Sequence, residues 1–256
     1  MTIADRHDAF LFDLDGVLYR GNEEVLGASE AVARLRGAGK RLSFVTNNSS
    51  RTPEAVVRKL AAVGVAATVD EVETSAMATA EVLGARGVRT AFVVGEEGVR
   101  AALEGAGIAV VGADGPRPDV VVVGWDRGAD YAKLAAASLY VQRGASLVAT
   151  NADASYPAPA GLLPGAGALL AAVTTATGAT AEIVGKPHPP LLRAALERAG
   201  GGRPLVIGDR LDTDIAGAAA LGWPSLLVLT GVTTRSDLES SKVQPTYVGE
   251  DLLALF

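Results

Sequence analysis

The sequence predicts an α/β protein built on a mainly parallel sheet, and three observations predict it. Short apolar, β-rich runs alternate with helical segments along the chain, the rhythm of strand–helix–strand units. The 256 residues are 49% hydrophobic, enough to bury a large core or a core plus a smaller second domain. Three of the presumptive strands run directly into clusters of acids, amides and hydroxyls. Aromatic residues make up only 5%, so Val, Leu, Ile and Ala must fill the interior.

Taken in order, Ala9–Asp13 (AFLFD) is an apolar run ending at acids. Ser29–Gly37 reads as a helix with Ser29 as N-cap, and Arg41–Thr46 (RLSFVT) as the second strand. Thr52 and Pro53 supply an N-cap and an N1 proline for a helix reaching about Val63. A further helix spans Thr74–Ala85. The next segment has its own α/β rhythm. Thr90–Val94, Val120–Val123 (VVVV) and Ser146–Thr150 read as strands. Tyr131–Gln142 is a helix with Leu134, Leu139 and Val141 available to bury, and a helix lies within Leu163–Thr177. The first pattern then resumes with a helix at Leu191–Ala199, a strand at Pro204–Asp209 (PLVIGD), a helix at Thr213–Leu221 and a strand at Ser225–Thr230. The simplest organisation is a core of residues 1–81 and 184–256 interrupted by an inserted domain, Val82–Ile183.

Composition excludes several functions. Cys is absent, so there is no disulfide framework, thiolate metal site or cysteine nucleophile. The net charge is -6 with no run of Lys and Arg, which argues against nucleic acid as partner. Residues 154–181 carry no charge but contain Pro157, Pro159 and Pro164, which rules out an apolar membrane span. This stretch reads as a buried loop leading into a core helix. With no apolar signal region near Met1, the expected location is the cytoplasm. His7 and His188 are the only histidines, too few for a multi-histidine metal centre, and no Walker sequence is present.

In parallel sheets, ligands bind beyond the carboxyl ends of the strands. Asp13-Leu-Asp15-Gly16, Thr46-Asn47-Asn48-Ser49 and Gly208-Asp209 all fall there. Asp13 and Asp15 allow two readings. One is a plain surface turn. In the other, one carboxylate attacks phosphorus while the second protonates the leaving oxygen and later activates water. Acids so close to a phosphate need a hard cation, and carboxylates are Mg²⁺ ligands. Asp209 supplies a third carboxylate and Asp214 a fourth. Asp212, between them, reads as an N-cap for the following helix. Thr46 and Asn47 offer hydroxyl and backbone donors for phosphate oxygens, or simply a polar strand-to-helix turn. Lys186 is either a solvated surface lysine or the fixed positive charge of phosphoryl transfer.

The motifs DLDGVLYRG (13–21), TNNSS (46–50), GKPHP (185–189) and GDRLDTDI (208–215), in this order, resemble the haloacid dehalogenase superfamily. The resemblance is to its branch with a type IIA cap and spans the whole chain. ATNAD (149–153), GLLPGAG (161–167), LTGV (229–232) and PTYVGEDL (245–252) contribute to it. It implies a Rossmann-like parallel-sheet core with an inserted α/β cap domain. It also implies a phosphatase in which Asp13 is the nucleophile, Asp15 the acid/base and Lys186 the positive partner. Thr46, Asn47 and Asn48 would hold the phosphoryl group. Mg²⁺ would sit between the Asp13 carboxylate, the Asp15 backbone carbonyl and Asp209, with Asp214 in support. Asn151 and Asp153, in the cap, are candidates for substrate contact, with loop capping as the equal alternative. Ala166 and Ala168 depart from the family's usual Asn and Ser. The implied substrates are small phosphate monoesters such as glycerol 3-phosphate, 2-phosphoglycolate or p-nitrophenyl phosphate. Nucleotides, pyridoxal phosphate, a sugar phosphomutase reaction and a non-catalytic binding role are the alternatives. The oligomeric state stays open, a cap-mediated homodimer included.

Overall fold

A computed structural model of the chain describes residues 1–158 and 161–256. The chain forms two compact units. The first comprises Met1–Thr46, Pro53–Glu73 and Lys186–Phe256, and the second Asn47–Thr52 and Thr74–Gly185.

The first unit is built on a six-stranded sheet. Its spatial order is Tyr247–Gly249, Ser225–Val228, Pro204–Gly208, Ala9–Phe12, Arg41–Thr46 and Val72–Thr74. Ala9–Phe12 is fully buried, as a parallel strand covered on both faces must be. It pairs in parallel with Arg41–Thr46 on one side and Pro204–Gly208 on the other. The chain thus leaves this strand towards opposite sides of the sheet, which makes its carboxyl end a topological switch point. Phe12 lies opposite both Phe44 and Ile207. That register brings Asp13, Thr46 and Asp209 to one rim. Phe10, Phe12 and Phe44 stack at 6.5 and 6.0 Å and fix the sheet centre.

Helix Ala28–Gly37 buries Ala28, Ala31, Val32 and Leu35, the spacing of one helical face. It starts one residue earlier than predicted. Gly27 is the N-cap, in the left-handed region at φ 80°. Ser29 is not a cap; its N–H donates to Glu24 Oε1 at 2.7 Å.

The second unit carries a five-stranded parallel sheet. Its order is Glu182–Ile183, Ser146–Ala149, Val120–Val123, Thr90–Val94 and Ala109–Val110. Thr74 caps helix Ser75–Ala85 by accepting the Met77 N–H at 3.2 Å. Helix Tyr131–Gln142 packs through Ala136, Ala137 and Tyr140. Leu139, expected to bury, is 48% exposed, because the small alanines form the packed face. The buried loop expected from residue 154 is also corrected. Ser155–Ala158 and Gly161–Pro164 form an antiparallel hairpin, and residues 161–164 are exposed. Its inward-facing backbone groups pair across the two strands and the outward-facing ones can bond to water, so it needs no burial. Pro159 lies outside the described residues. The helix that follows begins at Ala166. No described helix is long and apolar enough to cross a membrane.

Candidate active site

The rim of the first sheet gathers charges from three separate strand ends. Lys186 Nζ donates to Asp13 Oδ1 at 2.6 Å, to Asp214 Oδ1 at 2.7 Å and to the Val45 carbonyl at 3.4 Å. The lysine is only 3% exposed, which overturns the surface-lysine reading. Burial by itself would depress its pKa, but Asp13 and Asp214 outweigh that and raise it. The ammonium is therefore a permanent charge.

Asp209 is buried at the end of Pro204–Gly208. Its Oδ2 accepts the Val232 N–H at 2.7 Å. Among the described residues its Oδ1 has no hydrogen-bond partner. Burial, then the Asp214 charge, pushes its pKa up to about 7, against the opposing pull of the Val232 N–H and of Lys186. Asp13 is likewise raised well above the usual carboxylate range. Burial is the main cause; Lys186 counters it, while Asp214 and Asp209 add to it. Asp214 Oδ2 accepts the Arg210 N–H at 3.2 Å. It sits on a single wide turn of π-helix, Leu211–Ile215, a feature frequent at functional sites. Asp212 is not the N-cap predicted. It lies inside that turn, and the Arg210 guanidinium holds both its oxygens at 3.0 and 2.7 Å.

Each of Asp13, Asp209 and Asp214 offers one carboxylate oxygen within 4.8 Å of the others. One lysine stands against three acids, whose mutual repulsion helps raise Asp13 and Asp209. With the orphaned Asp209 oxygen, this all-oxygen donor set fits a hard divalent cation. The backbone makes room for it. Gly16 has φ +84°, and a Cβ there would overlap Asp209, as would one on Gly231.

The Asp15 side chain meets Tyr19 and Lys59. Tyr19 Oη donates to its Oδ2 at 3.4 Å, and Lys59 Nζ lies 3.8 Å from its Oδ1 and over the Tyr19 ring. Thr46 is buried at the end of its strand. Asn47, Asn48, Asn151 and Asp153 belong to the second unit. There the Asn47 carbonyl accepts from Ser75 Oγ at 2.5 Å and Asn151 Nδ2 at 2.7 Å. Asn47 Nδ2 reaches both Asp153 oxygens at 3.3 Å. Asn48 Oδ1 accepts from the N–H and hydroxyl of Ser50. Ser49 Oγ is buried between the Trp125 N–H and the Thr150 hydroxyl. Sequence reading did not single out Ser75, Thr150, Lys59 or Tyr19. Ser75, Thr150 and Lys59 meet residues distant in the chain, which no local spacing signals, whereas Tyr19 reaches back only four residues to Asp15.

Residues 10–109 match the profile of haloacid dehalogenase-like hydrolases, and residues 183–255 match a second, HAD-hydrolase-like profile. The chain is 41% identical over 258 residues to the D-glycerol 3-phosphate phosphatase of Mycobacterium tuberculosis, covering 99% of this chain and 72% of that one. It is 40% identical over 249 residues to the acid sugar phosphatase of Staphylococcus saprophyticus, covering 96% and 95%. The crystal structure of the Mycobacterium tuberculosis glycerol phosphate phosphatase in complex with magnesium superposes with a TM-score of 0.94 at 40% identity. The match covers 100% of this chain and 78% of that one. The chain belongs to the haloacid dehalogenase superfamily, among its phosphatases of the type IIA cap branch.

Proposed function

We propose that this protein hydrolyses small phosphate monoesters with the help of Mg²⁺, through an aspartyl-phosphate formed on Asp13. The observation that carries the reading is the buried Lys186 bridging Asp13 and Asp214 beside an Asp209 oxygen that has no partner among the described residues. The Asp13 carboxylate attacks phosphorus in line with the ester oxygen. As that P–O bond breaks, Asp15 gives its proton to the departing alcohol. Asp15 then takes a proton from water, which attacks the same phosphorus, frees the Asp13 carboxylate and releases inorganic phosphate. Thr46 and the Asn47 backbone supply donors for the phosphoryl oxygens, and Lys186 balances their charge. The carboxylates of Asp13 and Asp209, the Asp15 carbonyl and a supporting Asp214 would hold the cation. Bound there, Mg²⁺ would offset the mutual repulsion of acids and phosphate.

The substrate class follows the relatives, a D-glycerol 3-phosphate phosphatase and an acid sugar phosphatase. Glycerol 3-phosphate and 2-phosphoglycolate are the proposed substrates of this chain, with Asn151 and Asp153 as the residues of the second unit to vary first. Phosphate release across a metabolite panel, with Mg²⁺ and again with EDTA, tests the reading. Asp13→Asn should lower turnover by about 10⁴-fold or more while the thermal midpoint stays at or above wild type. Most of the wild-type activity in that variant would remove Asp13 from the nucleophile's role.

A further inference from the structure

The segment after strand Ser225–Val228 meets both the metal-side acid and the catalytic turn. Leu229 N–H donates to the Gly249 carbonyl at 3.0 Å and extends the pairing with the edge strand. Three residues on, Val232 N–H donates to Asp209 Oδ2 at 2.7 Å, and Thr233 N–H to the Asp209 carbonyl at 3.1 Å. Between them, Thr230 Oγ1 donates to the Gly16 carbonyl at 2.6 Å. Gly16 itself donates its N–H to the Tyr19 carbonyl at 2.8 Å. Both peptide groups flanking Gly16 are thus held, one by Tyr19 and one by Thr230. The Asp15 carbonyl is part of the first of these peptides.

Space is as constrained as direction. Gly16 sits at φ +84°, and added Cβ atoms on Gly16 or Gly231 would run into Asp209. With Oδ2 tied to Val232, Asp209 is left with Oδ1, which has no partner among the described residues. One short segment, tied to the edge strand, therefore sets the orientation of Asp209 and of the Asp15–Gly16 turn together.

We propose that Thr230 is a positioning residue for the divalent-cation site. Its hydroxyl bond to Gly16 holds the Asp15–Gly16 turn in register with Asp209, so that the Asp15 carbonyl and Asp209 Oδ1 are presented together. The inference rests on the proposed Mg²⁺ reading of that site. Thr230 touches neither cation nor substrate and acts through backbone placement. Preorganised ligands bind a cation without first ordering the turn.

The test is Mg²⁺ titration by calorimetry on the full chain, with thermal midpoints in EDTA measured alongside. Thr230→Val keeps the shape and removes the hydroxyl. It should weaken Mg²⁺ binding about tenfold or more, within the range seen when groups supporting metal ligands are lost. The Mg²⁺ concentration for half-maximal phosphate release should rise in parallel. Thr230→Ser restores the donor and should return Mg²⁺ affinity to within about threefold of wild type, far inside that loss. Wild-type Mg²⁺ affinity in Thr230→Val overturns the proposal. So does a lowered EDTA midpoint with affinity unchanged, because that is a merely structural role. Asp209→Asn is the reference. If it binds Mg²⁺ as the wild type does, the metal reading falls and the positioning role falls with it.

Discussion

At Lys186 a single ammonium bonds two carboxylates in a site almost closed to water. Replacing it with Met keeps the length of the side chain and removes the charge. Asp214, 1% exposed, would then lose the partner of its Oδ1 beside two other acids. Breaking such a buried pair from one side costs about 3–5 kcal/mol. Lys186→Met is therefore expected to lose stability on that scale in urea unfolding with EDTA present. A loss below about 1 kcal/mol, the scale of an exposed pair, would mean that the site admits more water than the geometry allows. At this scale the acids Asp13, Asp209 and Asp214 were legible as candidates, since each follows an apolar strand or lies in the turn after one. The direction of Asp15 towards Lys59 and Tyr19 was not. Those three residues meet through a turn and a helix from different parts of the chain.

Helix Tyr131–Gln142 shows the same division among elements. Its existence and bounds follow from the sequence, but its buried face does not. A run rich in alanine leaves several faces equally apolar, and only the neighbouring sheet selects Ala136, Ala137 and Tyr140. Tyr140 is buried, its ring 5.2 Å from that of Phe92. Its hydroxyl lies 2.8–3.0 Å from the carbonyls of Gly112, Ala113 and Gly115. The helix is thereby strapped to the segment between two strands of its sheet. Tyr140→Phe retains the ring contact and removes the hydroxyl; because Gly112 and Ala113 are exposed, their carbonyls can turn to water, so it should cost about 0.5–1.5 kcal/mol, the net worth of an ordinary hydrogen bond. Hydrogen exchange should speed up around residues 112–115 while the first unit keeps its protection. The paired strands Ser155–Ala158 and Gly161–Pro164 escaped sequence reading because proline argues against strand pairing in general. A two-stranded ribbon has open edges, and there proline is tolerated.

For the molecule as a whole, the raised carboxyls couple stability to pH and to metal. Asp209 ionises near 3.8 in an unfolded chain and at about 7 when folded. The folded state thus holds this proton more tightly, and the stabilisation is fully present below pH 3.8. It is lost as pH rises through about 7. Asp13, raised by the same burial, adds in the same direction. The metal-free protein should therefore melt at a lower temperature at pH 8 than at pH 5, and Asp209→Asn should flatten that dependence. Mg²⁺ competes with the proton for the carboxylates. Its stabilisation, about 2.7 kcal/mol at a hundredfold excess over Kd, should be larger at pH 8 than at pH 5. A Mg²⁺ shift in melting temperature independent of pH would separate the titrating groups from the cation site.

The sequence by itself determined the class of fold, the positions of most strands and helices, and the order of polar motifs at strand ends. These depend on periodicity and on local chain chemistry, which are written along the chain. Only the tertiary structure decided that Lys186 is buried between two acids and that Thr230 reaches Gly16. Each of these joins atoms through strand register or backbone direction. Such contacts arise when the sheet closes and leave no spacing in the sequence to read.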